Sequence, residues 1–464
     1  MRRVAPVLVA LLLVACNQTA TTPPAHHTLA VHLAGLLGKA AYSVDVPDDW
    51  NGTLFLYSHG YVTPGSYNQA QEGPPGDAQG WLFAHHYAVA GSGYSSTGWA
   101  LEDAFKDQIA LLDYFTQAVA KPKRVIAWGT SLGGIITAGL VQLYPDRFAA
   151  ALPMCGVLAG GIATWNTELD AAYAFKTLLA PTSDLQLVHV TDGAANLKTA
   201  ETIFDSAAQT AQGRARLAMV AALIDLPGWF DPTKIEPIAS NYAAQLAAQE
   251  QWESRVDFPF AFELRAELEG RAGGNPSWNA GVHYSDLLAA SPDRQEATAL
   301  YGEAGLDLSA DLALLDAGAS IKADPSAARY LERNITFDGN LAVPVLSMHT
   351  TGDGLVIPPN ESAYAQVVGA AGKQDLLRQV FIHRAGHCAF TDAEILAATQ
   401  ALLTRLDRGT WNDAALQPDA LNSAAGKLGA NASTIFGFKF DPSFVRYQPA
   451  PYPRPFSAGA TIPA

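Results

Sequence analysis

The chain has 464 residues, of which 49% are hydrophobic and 16% charged, so it can bury a large core and is neither disordered nor fibrous. Its formal net charge is −15, and no Lys/Arg cluster stands out, so nucleic acid is not an expected partner. Length suggests two or three structural units, and 39 glycines with 28 prolines imply many turns.

In chain order, Arg2 and Arg3 precede an apolar run over residues 5–15 that is too short to span a bilayer and has signal-peptide proportions. The run ends Leu13-Val14-Ala15-Cys16. This ending resembles the bacterial lipobox, which implies cleavage after residue 15, lipidation of Cys16 and export on a membrane anchor facing the periplasm or cell exterior. An ordinary secretory signal also exports the chain. Residues 16–28, rich in Thr, Pro and Ala, read as a flexible tether. Beyond Cys16 only Cys155 and Cys388 remain, and two cysteines in an exported protein invite a disulfide.

Strand-like stretches come next at residues 41–46, 53–58 and 87–91, with helical periodicity at 81–85 and 101–119. The run Val125-Ile126-Ala127-Trp128-Gly129-Thr130-Ser131-Leu132-Gly133-Gly134 reads as a buried strand, then Gly-x-Ser-x-Gly, then a helix to about residue 143. Such a turn exposes the serine hydroxyl, and only small residues fit two before and two after it. A strand at 148–153 ends near Cys155. Residues 160–340 lack strand–helix alternation and read as helices, among them 199–224, 241–255 and 259–269; a segment this long is a domain, not a loop. Alternation resumes with a strand at 343–349, a helix at 362–368, a strand at 378–383, and a helix opening on the capping-box sequence Thr391-Asp392-Ala393-Glu394. Residues 410–464 read as an irregular tail, with 447–456 extended on the surface.

The expected units are therefore a signal peptide (1–15), a tether (16–28), a first core segment (29–159), a helical cap (160–340), a second core segment (341–409) and the tail. Alternating strands and helices imply a mostly parallel sheet covered on both faces, with chemistry at the carboxyl ends of the strands. His59, Ser131, Cys155, Asp353 and His387 all fall just past predicted strand ends.

Serine is a poor nucleophile without a base, and the base needs a carboxylate to fix its tautomer. His387, after Gly386 in a loop past the last strand, is the candidate base. Asp353, in Thr351-Gly352-Asp353-Gly354, is the candidate acid, although Gly-Asp-Gly is also a plain turn sequence. His383 and His349 lie inside strands; His383 is expected to point into the core or across the sheet. His26, His27, His85 and His86 read as tether or surface residues. The oxyanion of an acyl-transfer intermediate needs two backbone donors. Leu132, at a helix N-terminus, and Tyr61, in Ser58-His59-Gly60-Tyr61, are the candidates, with His59 structural.

The motifs His59-Gly60, Gly129-Thr130-Ser131-Leu132-Gly133, Asp353 and Gly386-His387 resemble the α/β-hydrolase superfamily. The resemblance covers residues 40–158 and 341–408, and the insertion sits where that superfamily often carries a cap. It implies an α/β fold with a mostly parallel eight-stranded sheet, helices on both faces, and acyl-transfer hydrolysis of a small-molecule substrate without a cofactor. Serine at the elbow argues against dehalogenases and epoxide hydrolases, which use aspartate there. His387-Cys388 is similar to tannase- and feruloyl-esterase-like enzymes, in which the cysteine after the histidine bonds one just before the serine. Here Thr130 holds that position, and the resemblance leaves Cys155 as a substitute partner for Cys388; two buried free thiols are the other reading.

No metal-binding motif is present. The expected activity is carboxylic-ester hydrolysis through Ser131, His387 and Asp353. A serine peptidase resembling the prolyl-oligopeptidase group is the alternative. The usual propeller has no room before the first strands, but a helical-capped aminopeptidase-like enzyme, with a cap carboxylate holding the substrate amine, escapes that objection. A non-catalytic surface lipoprotein with a hydrolase fold is the third reading.

Overall fold

The computed structural model describes residues 29–435 and 437–463. The expected signal peptide, Cys16 and the tether lie outside the described residues. The strands in chain order are β1 (Leu29–Leu37), β2 (Ala40–Pro47), β3 (Thr53–Ser58), β4 (Ala88–Ser92), β5 (Arg124–Thr130), β6 (Ala150–Met154), β7 (Val345–Gly352), β8 (Leu377–Ala385), β9 (Thr434–Ile435), β10 (Phe438–Lys439) and β11 (Phe444–Val445). The core helices are α1 (Ala78–Ala84), α2 (Leu101–Ala118) and α3 (Leu132–Leu143). Between β6 and β7 come α4 (Gly161–Leu179), α5 (Gly193–Ala207), α6 (Ala211–Leu223), α7 (Tyr242–Trp252), α8 (Arg265–Ala272), α9 (Tyr284–Ala290), α10 (Arg294–Ala304), α11 (Leu308–Gly318) and α12 (Pro325–Arg333). The core then closes with α13 (Pro359–Ala370), α14 (Asp392–Arg408) and α15 (Pro418–Gly426).

The main sheet has the order β1-β2-β4-β3-β5-β6-β7-β8-β11. Strands β3 to β8 run parallel, β2 is antiparallel to both β1 and β4, and β11 is antiparallel to β8. This is the α/β-hydrolase fold, with nine strands where eight were expected. The ninth is supplied by the tail, which is not irregular: Phe444 and Val445 pair with Ile382 and Phe381. A two-residue strand carries no readable alternation, so only the exposed edge of β8 reveals its place.

Period-two alternation divides the buried residues between the faces. Leu54 and Leu56 pack with Phe105, Phe115, Ile135 and Val368 beneath α2, α3 and α13. Phe55 and Tyr57 face the other way, with Trp128, Leu82, Ile395 and Leu402 beneath α1 and α14. Helix α14 starts on a complete capping box: Thr391 Oγ1 accepts from Glu394 N, and the Glu394 carboxylate accepts from Thr391 N. Glu394 also takes a bidentate pair from buried Arg384, at 2.7 and 2.9 Å.

Helices α4 to α7 and α9 to α11 have a separate core around Phe175, Leu217, Phe258, Phe262 and Tyr301, while Leu268 of α8 and Leu331 of α12 join the core beneath α2 and α3. Two details differ from the sequence reading. The helix expected at 199–224 is broken between α5 and α6, where Thr210 caps the new helix by accepting from Gly213 N. From α7 to α8 the chain stays coiled through π-helical stretches Glu253–Asp257 and Pro259–Leu264. The wider turn relieves the clash that Pro259 would make in an α-helix.

Candidate active site

Strand β5 ends at Thr130 and α3 begins at Leu132, leaving Ser131 alone between them with φ 59° and ψ −125°. A left-handed φ is strained for a residue with a Cβ, and here it turns the hydroxyl out above the sheet. Close packing enforces the turn. A Cβ on Gly133 would lie 1.8 Å from Ser58 O, and one on Gly129 would lie 2.5 Å from the same oxygen. Ser131 N donates to Met154 O at 3.1 Å, which ties the elbow to β6.

The loops after β7 and β8 bring the other two candidates to this serine. His387 Nε2 is 2.8 Å from Ser131 Oγ, and His387 Nδ1 is 2.8 Å from Asp353 Oδ2. With Nδ1 facing a carboxylate, that nitrogen carries the proton and Nε2 accepts from the serine. Asp353 is fully buried, and its Oδ1 also accepts from Leu355 N and Val356 N at 3.1 and 3.0 Å. Burial pushes its carboxyl up. The charge that His387 carries when protonated, with hydrogen bonds from His349 and His387, outweighs that and holds it at about 2.

His349 is the support that sequence reasoning passed over as a plain strand residue. It has no exposed surface. Its Nε2 is 2.7 Å from Val356 O and 3.6 Å from Asp353 Oδ2, and its Nδ1 is 3.2 Å from Glu361 Oε1. Burial lowers its pKa, but the two carboxylates prevail and raise it to about 10. Both nitrogens face acceptors, so the ring sits as a cation between Asp353 and Glu361.

The first candidate oxyanion donor, Leu132 N, is the first N–H of α3 and so has no acceptor within the helix. The second, Tyr61, follows Gly60, whose Cβ position lies 3.3 Å from Ser131 Cβ. Tyr61 and Leu132 both line the cavity that opens on Ser131. His59 is buried, stacks on Tyr94 at 4.1 Å between ring centroids, and has its Nδ1 2.8 Å from Gly60 O. It braces the loop, and among the described residues no hydrogen bond joins its ring to the serine.

Cys155 and Cys388 are joined by a disulfide spanning 233 positions, with Cα atoms 5.3 Å apart. It ties the end of β6 to the residue after His387, and Cys388 Sγ packs 3.4 Å from His387 Nε2. Among the described residues these two sulfurs and His387 are the only group with metal-like spacing, and the disulfide occupies both sulfurs. Of the two orientations expected for His383, into the core or across the sheet, the first does not occur: its side chain is 47% exposed and meets Trp229 and Glu236 of the cap, with Thr351 Oγ1 of the neighbouring strand 3.5 Å from its Nδ1. His85 stacks on Trp81, and His86 pairs with Asp49, both at the surface. His26 and His27 lie outside the described residues.

The cavity above Ser131 measures about 60 Å³ and is lined largely by Trp99, Val157, Trp165, Phe260, Ile357 and Tyr452. Trp165 and Phe260 of the cap thus reach the cavity, while Phe258 and Phe262 fill the cap's own core. Two cap carboxyls, Glu168 and Asp257, also line it. Neither oxygen of Asp257, nor Oε2 of Glu168, has a hydrogen-bond partner among the described residues. Burial raises Glu168 to about 7 although the Arg265 charge pulls it down; burial and the charge of Glu168 raise Asp257 well above the carboxylate range. Neither the tail residue Tyr452 nor this pair carries a sequence motif, because both depend on how the cap and tail fold back over the sheet.

Fold and elbow together define a serine hydrolase of the α/β-hydrolase type. Residues 93–191, which contain the elbow, match the model of the prolyl oligopeptidase family. The chain is 28% identical over 440 residues to an o-phthalyl amidase of Xanthobacter agilis, covering 86% of this chain and 92% of that one. An esterase of Aspergillus oryzae superposes with a TM-score of 0.43 at 14% identity, covering 82% of this chain and 80% of the other. A rice cell wall degrading esterase of Xanthomonas oryzae gives a TM-score of 0.35 at 13% identity, covering 80% and 85%.

Proposed function

We propose that this protein hydrolyses carboxylic esters outside the cytoplasm, anchored by a lipid on Cys16, with Ser131 as nucleophile, His387 as base and Asp353 as orienting acid. The observation that carries the reading is the unbroken hydrogen-bonded line from Ser131 Oγ through His387 to Asp353, each link 2.8 Å. Ser131 Oγ attacks the ester carbonyl carbon while His387 Nε2 takes the hydroxyl proton, and Asp353 balances the imidazolium charge. The oxyanion accepts from Leu132 N and Tyr61 N. The intermediate collapses, and His387 returns the proton to the departing alcohol. Water then attacks the acyl-enzyme by the same path, releasing the acid and free Ser131. The aromatic and aliphatic part of the cavity lining supports a substrate with an apolar acyl group.

Amide hydrolysis is the second reading, favoured by the likeness to an o-phthalyl amidase and by the prolyl oligopeptidase match. The same residues serve it, with an amine in place of the alcohol. Purified protein assayed on 4-nitrophenyl esters and on matched acyl 4-nitroanilides separates the two. Turnover of esters alone supports the first reading, faster turnover of anilides replaces it with the second, and turnover that survives in Ser131→Ala contradicts both.

A further inference from the structure

The last segment of the chain does more than complete the sheet. After β11 it runs back across α13, where Ser362 Oγ donates to Pro449 O at 3.0 Å. It then reaches the cap. There Arg454 Nη1 meets both carboxylate oxygens of Asp170 on α4 at 2.7 and 2.9 Å, and Arg454 Nη2 donates to Trp278 O at 2.9 Å. Asp170 is almost fully buried, and Tyr284 also donates to it, at 2.9 Å. Phe456 packs edge-on against Trp278. This is a built latch: a buried carboxylate takes a guanidinium whose loss would leave an uncompensated charge.

Between the sheet edge and the latch lies Tyr452. It is 5% exposed, packs with Ala159, Ala163 and Ile357, and forms part of the wall of the cavity that contains Ser131. Among the described residues of the tail, it alone lines that cavity. We infer that Tyr452 is a specificity residue that limits the length of the substrate's apolar acyl group, and that the Arg454–Asp170 latch holds it in the wall. The inference rests on Ser131 being the nucleophile. A cavity of about 60 Å³ is small beside the roughly 150 Å³ that accommodates benzene, so one large wall residue decides what fits. Without the tail, the part of the wall that Tyr452 forms would be missing.

The test is the ratio of kcat/KM for 4-nitrophenyl octanoate to that for the butyrate. Wild type, Tyr452→Phe, Tyr452→Ala and Arg454→Leu are compared well below their melting temperatures. Tyr452→Ala is expected to raise the ratio by about tenfold, the scale on which a few methylenes are discriminated by a pocket. Tyr452→Phe, which keeps the ring, is expected to stay within about twofold of wild type, while Arg454→Leu raises the ratio with Tyr452 intact. A Tyr452→Ala ratio within about twofold of wild type overturns the assignment. So does loss of butyrate turnover in that variant at an unchanged melting temperature, since a wall residue leaves the triad in place. An unchanged ratio in Arg454→Leu overturns the latch. Failure of wild type to show any Ser131-dependent turnover is a different result, and it counts against the hydrolase reading itself.

Discussion

At the scale of single residues, the acid is the best supported member of the candidate triad. Asp353 receives two backbone N–H groups, the His387 ring and the nearby His349 cation. Replacing it with asparagine keeps the shape but favours the wrong imidazole tautomer, so kcat for ester hydrolysis is expected to fall by roughly 10³–10⁴ with KM little changed. His349 gives a second prediction, read from stability. Its folded pKa of about 10 lies above the value of 6.5 for a free ring, so its stabilisation is complete below pH 6.5 and is lost as pH rises through about 10. Thermal melts of wild type should therefore drop across that window. The drop should be smaller in His349→Gln, and an equal drop in both contradicts the assignment. Of these residues, Ser131, Asp353 and His387 were legible because chemistry restricts their type and order. His349 was not, because nothing in a strand sequence says which side chain will face a carboxylate.

At the scale of elements, the His387 loop is held in place from its C-terminal side. The disulfide to Cys155 and the capping box of α14 flank it within seven residues. A cross-link over a long loop typically contributes about 2–4 kcal/mol, and a capping hydroxyl about 1 kcal/mol. Reduction, or a Cys155→Ser/Cys388→Ser pair, is therefore expected to lower both the melting temperature and kcat, because the loop carries the proposed base. Thr391→Ala is expected to lower stability by about 1 kcal/mol with a smaller effect on kcat. Chemical denaturation alongside steady-state assays checks both. The capping box itself was readable from Thr391 and Glu394, since both partners lie within one turn. The π-helical stretches and β11 were not: the first keeps a helical rhythm through a proline, and the second is fixed by an edge strand about 60 residues earlier in the chain.

At the scale of the molecule, the cap buries several acids. Glu168 and Asp225 are raised to about 7 and Glu296 to about 8, each chiefly by burial. A carboxyl whose folded pKa lies above its unfolded value holds its proton longer in the folded state. Stability is then lost as pH rises from about 4 through those values. His349 acts in the same direction above pH 6.5, while the depressed Asp353 loses its contribution only toward about pH 2. The protein is accordingly expected to melt at a higher temperature at pH 5 than at pH 8.5, and Asp257→Asn is expected to narrow that gap. A melting temperature that rises between pH 5 and pH 8.5 contradicts this reading of the cap. The alternation of strands and helices outlined this architecture, since the 160–340 interruption was plain in the periodicity. The return of the tail over the cap was hidden, because it rests on contacts between residues far apart in the chain, such as Arg454 with Asp170 and Phe456 with Trp278.

All of the proposed chemistry turns on the activation of Ser131 by His387. The most direct measurement is intact-protein and peptide mass spectrometry after brief exposure to a fluorophosphonate. One adduct is expected, on the peptide containing Ser131, with labelling lost in Ser131→Ala and slowed by orders of magnitude in His387→Ala. A folded wild-type protein that takes no label, or an equal label in Ser131→Ala, would contradict it.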